Sequence, residues 1–516
     1  MHAGAERSVN TSLYPGHKDL INTITGHLGA DDMAYFLKWD RLIDFESEAG
    51  YKNAAESWLI PSHERERVTS KSISSMVFDP NYSAWDAGHD DSCHIIISLK
   101  RSHSSDLRTP LQNLGFAKGD HVLVSSDATT FGSDTFTCCS HQRPFLHIVR
   151  GMIEQMTDSQ VLIRASLDDI LRMQNYVTRF KSKNRVAPLF RIDIDDVATG
   201  IGTLRQNLIN LFARNMKPDN QTQQERLSWL RDIIVRRRTP MFDEKSRLLM
   251  FNPSNSTQLL PGCDVEDLLM EYAGLDDNQR AAVDKVFTAR DFALIQGLPG
   301  SGKTTVIAFV VRLLVAHGKR VLVTSYTHSA VDNVLLKLIH SGLAETNERR
   351  VTPAVIRIGQ RQTTHPGVHS ILASSVAVNR EATGSNPANG EHLLPSVDAL
   401  RMAVSSAQVV GITTLSIPRS PHLVKEHFDF VIVDEAGQIS QPAVLGALMA
   451  ANYFVLVGDH MQLPPLVNSE LAEEGGAYGF LRHMLVKSVC LCIHISSFSR
   501  GRLRRVYVET FGRRTE

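Results

Sequence analysis

The run Gly297-Leu298-Pro299-Gly300-Ser301-Gly302-Lys303-Thr304 sets glycines, an ammonium and a hydroxyl at the spacing G-x-x-x-x-G-K-[ST]. The glycines let consecutive backbone N–H groups turn inward around an anion, and a helix starting just behind them adds its partial positive charge. Lys303 then reaches the β- and γ-phosphates of a nucleoside triphosphate, and the Thr304 hydroxyl ligates magnesium. Pro299, Ser301 and Thr305 complete the lining of this loop.

Acids and amides elsewhere are candidates to act on a triphosphate held there. The apolar run Phe428-Asp-Phe-Val-Ile-Val433 delivers Asp434 and Glu435. Asp434 suits the water shell of magnesium, and Glu435 suits orientation or deprotonation of an attacking water. A second apolar run, Tyr453-Phe-Val-Leu-Val457, delivers Asp459 and Gln462, whose amide could touch the γ-phosphate or its water. Upstream, Gln279 offers one donor and one acceptor to the edge of adenine. ATP with Mg²⁺ is therefore the expected ligand. The run Val321-Leu-Val-Thr-Ser325 is followed by Thr327, His328 and Asn333, and Gly411-Ile-Thr413-Thr414 repeats that chemistry. Ser325, Thr327, His328, Asn333, Thr413 and Thr414 suit a single-stranded phosphate backbone contacted without reading its sequence.

The elements that must position these groups follow from periodicity. A strand over 292–296 and a helix over 305–317 flank the loop, and from about 275 onward strands alternate with helices, as in a parallel α/β sheet. Residues 31–47 carry helical spacing, with Asp31 and Asp32 as N-cap and first-turn acid. Short β-rich runs at 57–60, 94–98, 121–125 and 160–164 predict a small barrel or sandwich. Residues 200–216 and 222–238 return to helical periodicity. Arg236-Arg237-Arg238 is expected in a last turn, where cations complement the helix dipole; a structural or solvated role is the first reading and a phosphate contact the alternative. The polar stretch 379–391 reads as a surface loop.

At 516 residues the chain predicts two to four domains. Lys+Arg and Asp+Glu are both 55, so a nucleic-acid surface has to come from local clustering. Six cysteines in this length predict free thiols in a reducing compartment. The N-terminal residues lack the apolar core of a secretion signal. The longest apolar stretch, 443–457, contains Asn452 and predicts a buried helix and strand rather than a membrane span. A soluble intracellular protein with no membrane partner is expected.

In order, the segments around Gln279, the phosphate loop, 321–333, 428–438 and 453–465 resemble motifs Q, I, Ia, II and III of a superfamily 1 helicase. Thr324-Ser-Tyr-Thr-His-Ser-Ala-Val-Asp-Asn333, Val433-Asp-Glu-Ala-Gly-Gln-Ile-Ser-Gln-Pro442 and Val457-Gly-Asp-His-Met-Gln-Leu-Pro-Pro-Leu-Val467 narrow the resemblance to the eukaryotic DNA replication ATP-dependent helicase/nucleases. Those are bifunctional enzymes that trim Okazaki flaps and resect DNA ends. The resemblance covers roughly residues 30–470. It implies an α/β fold: a P-loop RecA-like parallel sheet domain preceded by a small β-barrel with flanking stalk helices. The corresponding division is an N-terminal helical segment (1–55), the barrel (56–198), stalk and linker (199–272), the first RecA-like domain (273–470) and a divergent basic tail (471–516).

The resemblance also implies 5′–3′ movement on single strands, and single-stranded or flap DNA as partner. It further implies a single-strand-binding protein with replication and repair factors, and the nucleus or a mitochondrion as location. Met461 stands where the family has a second Gln. The family's RecB-like nuclease with its 4Fe–4S cluster, and its second RecA-like domain with the arginines that complete the ATP site, are expected to lie outside this chain. The cysteines Cys93, Cys138, Cys139, Cys263, Cys490 and Cys492 lack the spacing for such a cluster, and Cys93, Cys138, Cys139 and His141 lack that for zinc. The chain is thus expected to be a fragment, from a truncated or mis-spliced gene model, binding ATP and DNA without efficient turnover. Two alternatives stay open. One is an RNA-directed superfamily 1 helicase of the nonsense-decay type, against which Tyr326-Thr-His328 speaks. The other is a non-catalytic nucleotide- or DNA-binding module.

Overall fold

The computed structural model describes residues 26–485 and 493–495, apart from 59, 61, 70, 87–93, 103–110, 112–115, 117–118, 127–146, 185–186, 214–220, 252–262, 344–353, 385–396, 421, 424–425, 460 and 478. The chain divides into two units, residues 44–202 and residues 1–43 with 203–516.

The chain opens with helix α1 (Ala30–Trp58), followed by α2 (Ser62–Thr69). Asp31 and Asp32 both lie in the first turn of α1, two and three places past the cap position. Ser57 and Trp58, expected in a strand, are the last residues of α1, whose helical spacing runs on past the expected end.

The strands β1 (Ser72–Asp86), β2 (His94–Arg101), β3 (His121–Ser126), β4 (His147–Met156), β5 (Gln160–Ser166) and β6 (Phe190–Ile194) close an antiparallel barrel in the order β1-β2-β5-β4-β3-β6. Helix α3 (Leu167–Asn184) connects β5 to β6. Alternation makes the barrel: along β5, Val161, Ile163 and Ala165 are buried while the residues between them are not. They join Ile97, Leu99, Val122, Val124, Phe190 and Ile192 in one core. Gly151 is needed where β4 meets β5, because a Cβ there would sit 2.5 Å from Ile163 Cγ2 and 2.6 Å from the Arg164 carbonyl oxygen.

Helices α4 (Asp196–Phe212) and α5 (Gln221–Ile234) follow. Because α5 ends at Ile234, Arg236, Arg237 and Arg238 lie beyond its last turn and do not cap its dipole. Arg236 pairs instead with Asp32 (3.2 Å) and Asp232 (2.7 Å), and Arg238 with Asp291 (3.0 Å). Within the larger unit, Asp40 of α1 pairs with Arg205 of α4 (3.0 Å), and Asn207 Nδ2 donates to the Pro442 carbonyl (3.0 Å).

Next come α6 (Val265–Gly274), α7 (Asp277–Thr288), β7 (Phe292–Gly297), α8 (Lys303–Ala316), β8 (Val321–Ser325), α9 (His328–His340), β9 (Val355–Arg357), α10 (Ala373–Gly384), α11 (Val397–Ser406), β10 (Val409–Thr413), β11 (Phe428–Val433), α12 (Gln441–Met449) and β12 (Ala451–Gly458). Their strands form a parallel sheet in the order β13-β7-β12-β11-β8-β10-β9, where β13 is Ile493–Ile495. This is the P-loop α/β sheet expected from the resemblance, and β7 and β8 are buried along their whole length. The 443–457 stretch is α12 and β12, as its length and Asn452 predicted.

Two further expectations are corrected. Residues 379–384 of the expected surface loop belong to α10, and 385–391 lie outside the described residues. The segment after 470 is folded in part, as α13 (Glu470–Glu474) and α14 (Phe480–Leu485), with Phe480, Leu481 and Met484 buried. Ile493 and Ile495 pair in parallel with Ile295 and Gly297 of β7. The apolar residues of this segment outweigh its basic composition. The arginines at 500–505 and 513–514 lie outside the described residues. Among the described residues no helix is long and apolar enough to cross a membrane.

Candidate active site

Parallel register brings the chemistry to one sheet edge. Gly458 pairs with Gln296, Val433 with Leu456, and Val433 with Thr324. The residues just past β7, β12, β11 and β8 therefore emerge side by side, at the carboxyl ends where ligands bind in open α/β sheets.

The phosphate loop joins β7 to α8. Gly300 (φ +75°) and Gly302 (φ +84°) occupy the left-handed region, which a side chain would strain. Lys303 Nζ lies back across the loop, donating to the carbonyls of Gly297 (2.8 Å) and Leu298 (3.3 Å). Ser301 Oγ is buried with no protein partner, and the Thr304 hydroxyl opens α8. An orphaned buried hydroxyl beside the loop glycines fits a phosphate, and Thr304 with Asp434 fits magnesium. Thr305 Oγ1 instead accepts from Lys337 Nζ of α9 at 2.6 Å.

Gln279 sits at the third position of α7 and closes a capping box with Asp276. Its Nε2 donates to the Ser301 carbonyl at 3.2 Å. The amide expected at adenine is thus also a strut for the phosphate loop.

Asp434 is buried at the end of β11, its Oδ1 accepting from the Glu435 N–H at 2.9 Å. Burial, then the neighbouring Glu435 charge, pushes its carboxyl up to about 6, against the Glu435 N–H and Lys303. A nearby cation is what such a group lacks. Glu435 is half-buried at φ +51°, an uncommon conformation for a residue with a Cβ. Two glycines make room for the turn it starts: a Cβ on Gly458 would lie 3.0 Å from Ala436 N, and one on Gly479 would lie 2.2 Å from the Gly437 carbonyl oxygen. Sequence alone gives neither glycine a role; their signal is steric and appears only with the fold. Asp459 is buried and holds the next loop, accepting from Met461 N (3.0 Å) and Gln462 Nε2 (3.1 Å). His460 lies outside the described residues.

The strand-contact candidates separate into two groups. Thr327, His328 and Asn333 lie at the start of α9, with Thr327 as its N-cap and Asn333 exposed. Ser325, Thr413 and Thr414 are buried: Thr414 shares a hydrogen bond with Thr324 (3.2 Å) and Thr413 with Ser416 (2.8 Å). Ser325 Oγ is buried with no protein partner among the described residues.

Arg357 and Asp332, missed in sequence, form a fully buried ion pair at 2.7 Å. Arg357 also donates to His328 Nδ1 (3.2 Å), so the ring keeps its proton on Nε2. Burial, then the Arg357 charge, lowers the His328 pKa, and Asp332 opposes this.

Cys263 is buried, its thiol pushed up to about 12 by burial. Cys93, Cys138, Cys139, His141, Cys490 and Cys492 lie outside the described residues. Among the described residues no group of His, Cys, Asp and Glu could hold a metal by itself.

A family model described as an AAA domain matches residues 274–388 and 379–470. The DNA replication ATP-dependent helicase/nuclease DNA2 of Saccharomyces cerevisiae is 28% identical over 501 residues, covering 90% of this chain and 29% of that protein. DNA2 of Xenopus laevis is 32% identical over 480 residues, covering 91% of this chain and 37% of that protein. The helicase/nuclease JHS1 of Arabidopsis thaliana is 30% identical over 461 residues, covering 89% and 31%. The chain spans about a third of the length of these relatives.

Proposed function

Since the chain belongs to the DNA replication ATP-dependent helicase/nuclease family, we propose that it forms the ATP-binding half of a DNA helicase motor. The observation that carries this reading is the convergence of the phosphate loop, Asp434–Glu435 and Asp459–Gln462 on one sheet edge, next to the start of α9.

Lys303, Gly297, Pro299, Gly300, Ser301, Gly302 and Thr305 would hold the triphosphate of ATP, with Gln279 beside adenine. Thr304 and Asp434 would hold Mg²⁺, which neutralises phosphate charge when bound. Glu435 would orient and deprotonate the attacking water, and Gln462 would sense the γ-phosphate. Thr327, His328 and Asn333 would contact a single DNA strand, or a flap, through its phosphates. Translocation and unwinding need a second domain that closes on ATP, and arginine fingers in related phosphoryl-transfer enzymes contribute about 10³–10⁵ in rate. These 516 residues alone are therefore expected to bind ATP and DNA with slow turnover. Nuclear location, 5′–3′ polarity and association with other replication and repair factors belong to the same proposal.

The test is nucleotide binding and ATPase of the purified chain with single-stranded DNA or RNA. ATP–Mg²⁺ binding abolished by Lys303→Ala, with DNA the better stimulator, supports the reading. Preferential stimulation by RNA would overturn the DNA assignment. Fast unwinding by these residues alone would overturn the half-motor.

A further inference from the structure

Three consecutive arginines follow α5, and only two have acidic partners among the described residues. Arg236 pairs with Asp32 and Asp232, and Arg238 with Asp291. Arg237 has no carboxylate within ion-pair distance among the described residues. It also holds φ +53°, a left-handed conformation that glycine adopts freely and a side chain does not. A strained backbone that carries a charged side chain calls for an account of where that side chain points.

Arg237 lines a cleft of about 340 Å³ between α1, the end of α5, the start of α12 and α14, and none of the lining residues belongs to the phosphate loop. Its guanidinium donates to His483 Nδ1 at 3.4 Å, while His483 Nε2 donates to the Ile234 carbonyl at 2.9 Å. The ring is therefore neutral. Burial, then the Arg237 and Lys38 charges, pushes its pKa down to about 4 against the Ile234 hydrogen bond, and Lys38 and Arg237 both line the cleft.

Opposite lies Gln441, 2% exposed. Its Oε1 accepts from the Tyr35 hydroxyl at 2.9 Å, and its Nε2 has no protein partner among the described residues although it lines the cleft. That amide and the Arg237 guanidinium, which has no carboxylate partner among the described residues, line the same cleft. Tyr35 and Trp39, ring centroids 6.4 Å apart, supply an aromatic wall, and Asp31 is the one acid among the lining residues.

We propose that this cleft is an anion site that takes the phosphate of a nucleotide, with Arg237 and Gln441 as donors and Tyr35 beside the sugar or base. Its ligand is either a free nucleotide or one nucleotide of a single strand. The two share a phosphate ester next to a flat apolar body. This site is separate from the ATP loop and does not depend on the helicase reading.

The experiment uses the full chain carrying Lys303→Ala, so that the phosphate loop contributes nothing. Inorganic phosphate, dTMP and an oligo(dT) strand are titrated by calorimetry, with and without Arg237→Gly. Glycine accepts φ +53° without strain, so the variant is expected to melt no lower than its parent. Binding of at least one probe, weakened roughly ten-fold or more by Arg237→Gly, is the expected result. Loss on dTMP identifies a free nucleotide, and loss on oligo(dT) alone identifies a strand. Equal binding by both proteins, or binding of none of the three probes, overturns the proposal.

Discussion

Gln279 Nε2 donates to the carbonyl oxygen of Ser301 at 3.2 Å, while its Oε1 accepts from Asp276 N at the same distance. One amide thus ties the start of α7 to the middle of the phosphate loop. A residue that served adenine alone would affect ATP and leave GTP untouched. A strut affects every triphosphate. Gln279→Ala is expected to weaken ATP and GTP to similar degrees, by about 0.5–1.5 kcal/mol for a lost neutral hydrogen bond. Parallel nucleotide titrations decide it; a loss confined to ATP would return Gln279 to base recognition.

Gly302 tests the same contact from the other side. An alanine Cβ there would lie 2.6 Å from Gln279 Nε2, on a backbone held at φ +84°. Gly302→Ala is expected to displace the strut and strain the loop, with nucleotide affinity falling at least as far as in Gln279→Ala. The sheet lies behind the loop, so cooperative melting should persist. Complete unfolding at room temperature would contradict a local effect.

The phosphate loop and the β11 acids are legible in sequence because both are local: a few consecutive residues specify the turn, and an apolar run specifies the strand behind it. The barrel strands are legible for the same reason, through alternation such as Val161, Ile163 and Ala165. What escapes a sequence reading is non-local. Thr414 looks like an exposed hydroxyl until β10 pairs with β8 and sets it against Thr324. Arg357 and Asp332 are distant in sequence, and nothing short-range marks either as half of a buried pair. Glu435 carries no sign of its positive φ, because the glycines that permit the turn, Gly458 and Gly479, lie in later segments.

Asp434 opposes stability where it serves chemistry. Its folded carboxyl titrates at about 6 against an ordinary 3.8, so the native protein holds the proton more tightly than the unfolded chain does. Stability therefore falls as pH rises from about 4 to about 6 and stays reduced above that. Asp434→Asn removes the buried charge. In metal-free buffer at about pH 7.5 it is expected to be more stable than the parent by roughly 1–3 kcal/mol while losing turnover. Denaturant melts check the first part and ATPase the second; a less stable variant would show that Asp434 is already well compensated.

The pair Arg357–Asp332 fixes the start of α9. Asp332 also accepts from His365 N at 2.8 Å, and Arg357 donates to the Ile358 carbonyl at 2.8 Å. Arg357→Met leaves a buried carboxylate without its partner and is expected to lose about 3–5 kcal/mol. Adding Asp332→Leu should restore much of that loss, because the uncompensated charge goes with it. A double-mutant cycle by urea unfolding measures the coupling. If the double variant is as unstable as the single, geometry and not charge holds this corner together.

His483 predicts a specific acid sensitivity. The ring is 5% exposed, with Nε2 donating to the Ile234 carbonyl and Nδ1 accepting from Arg237, so there is no room for a second ring proton. Its pKa is lowered from 6.5 to about 4, so between those values the unfolded chain binds the proton first. Stability from this residue is complete above about pH 6.5 and is lost as pH falls toward 4, at up to about 1.4 kcal/mol per pH unit. His483→Gln keeps an amide donor for the Ile234 carbonyl but cannot titrate. Its unfolding free energy is expected to change less than the parent's between about pH 7 and about pH 5. Identical slopes for the two proteins would mean that other groups carry the acid response and that the cleft around His483 admits a proton freely.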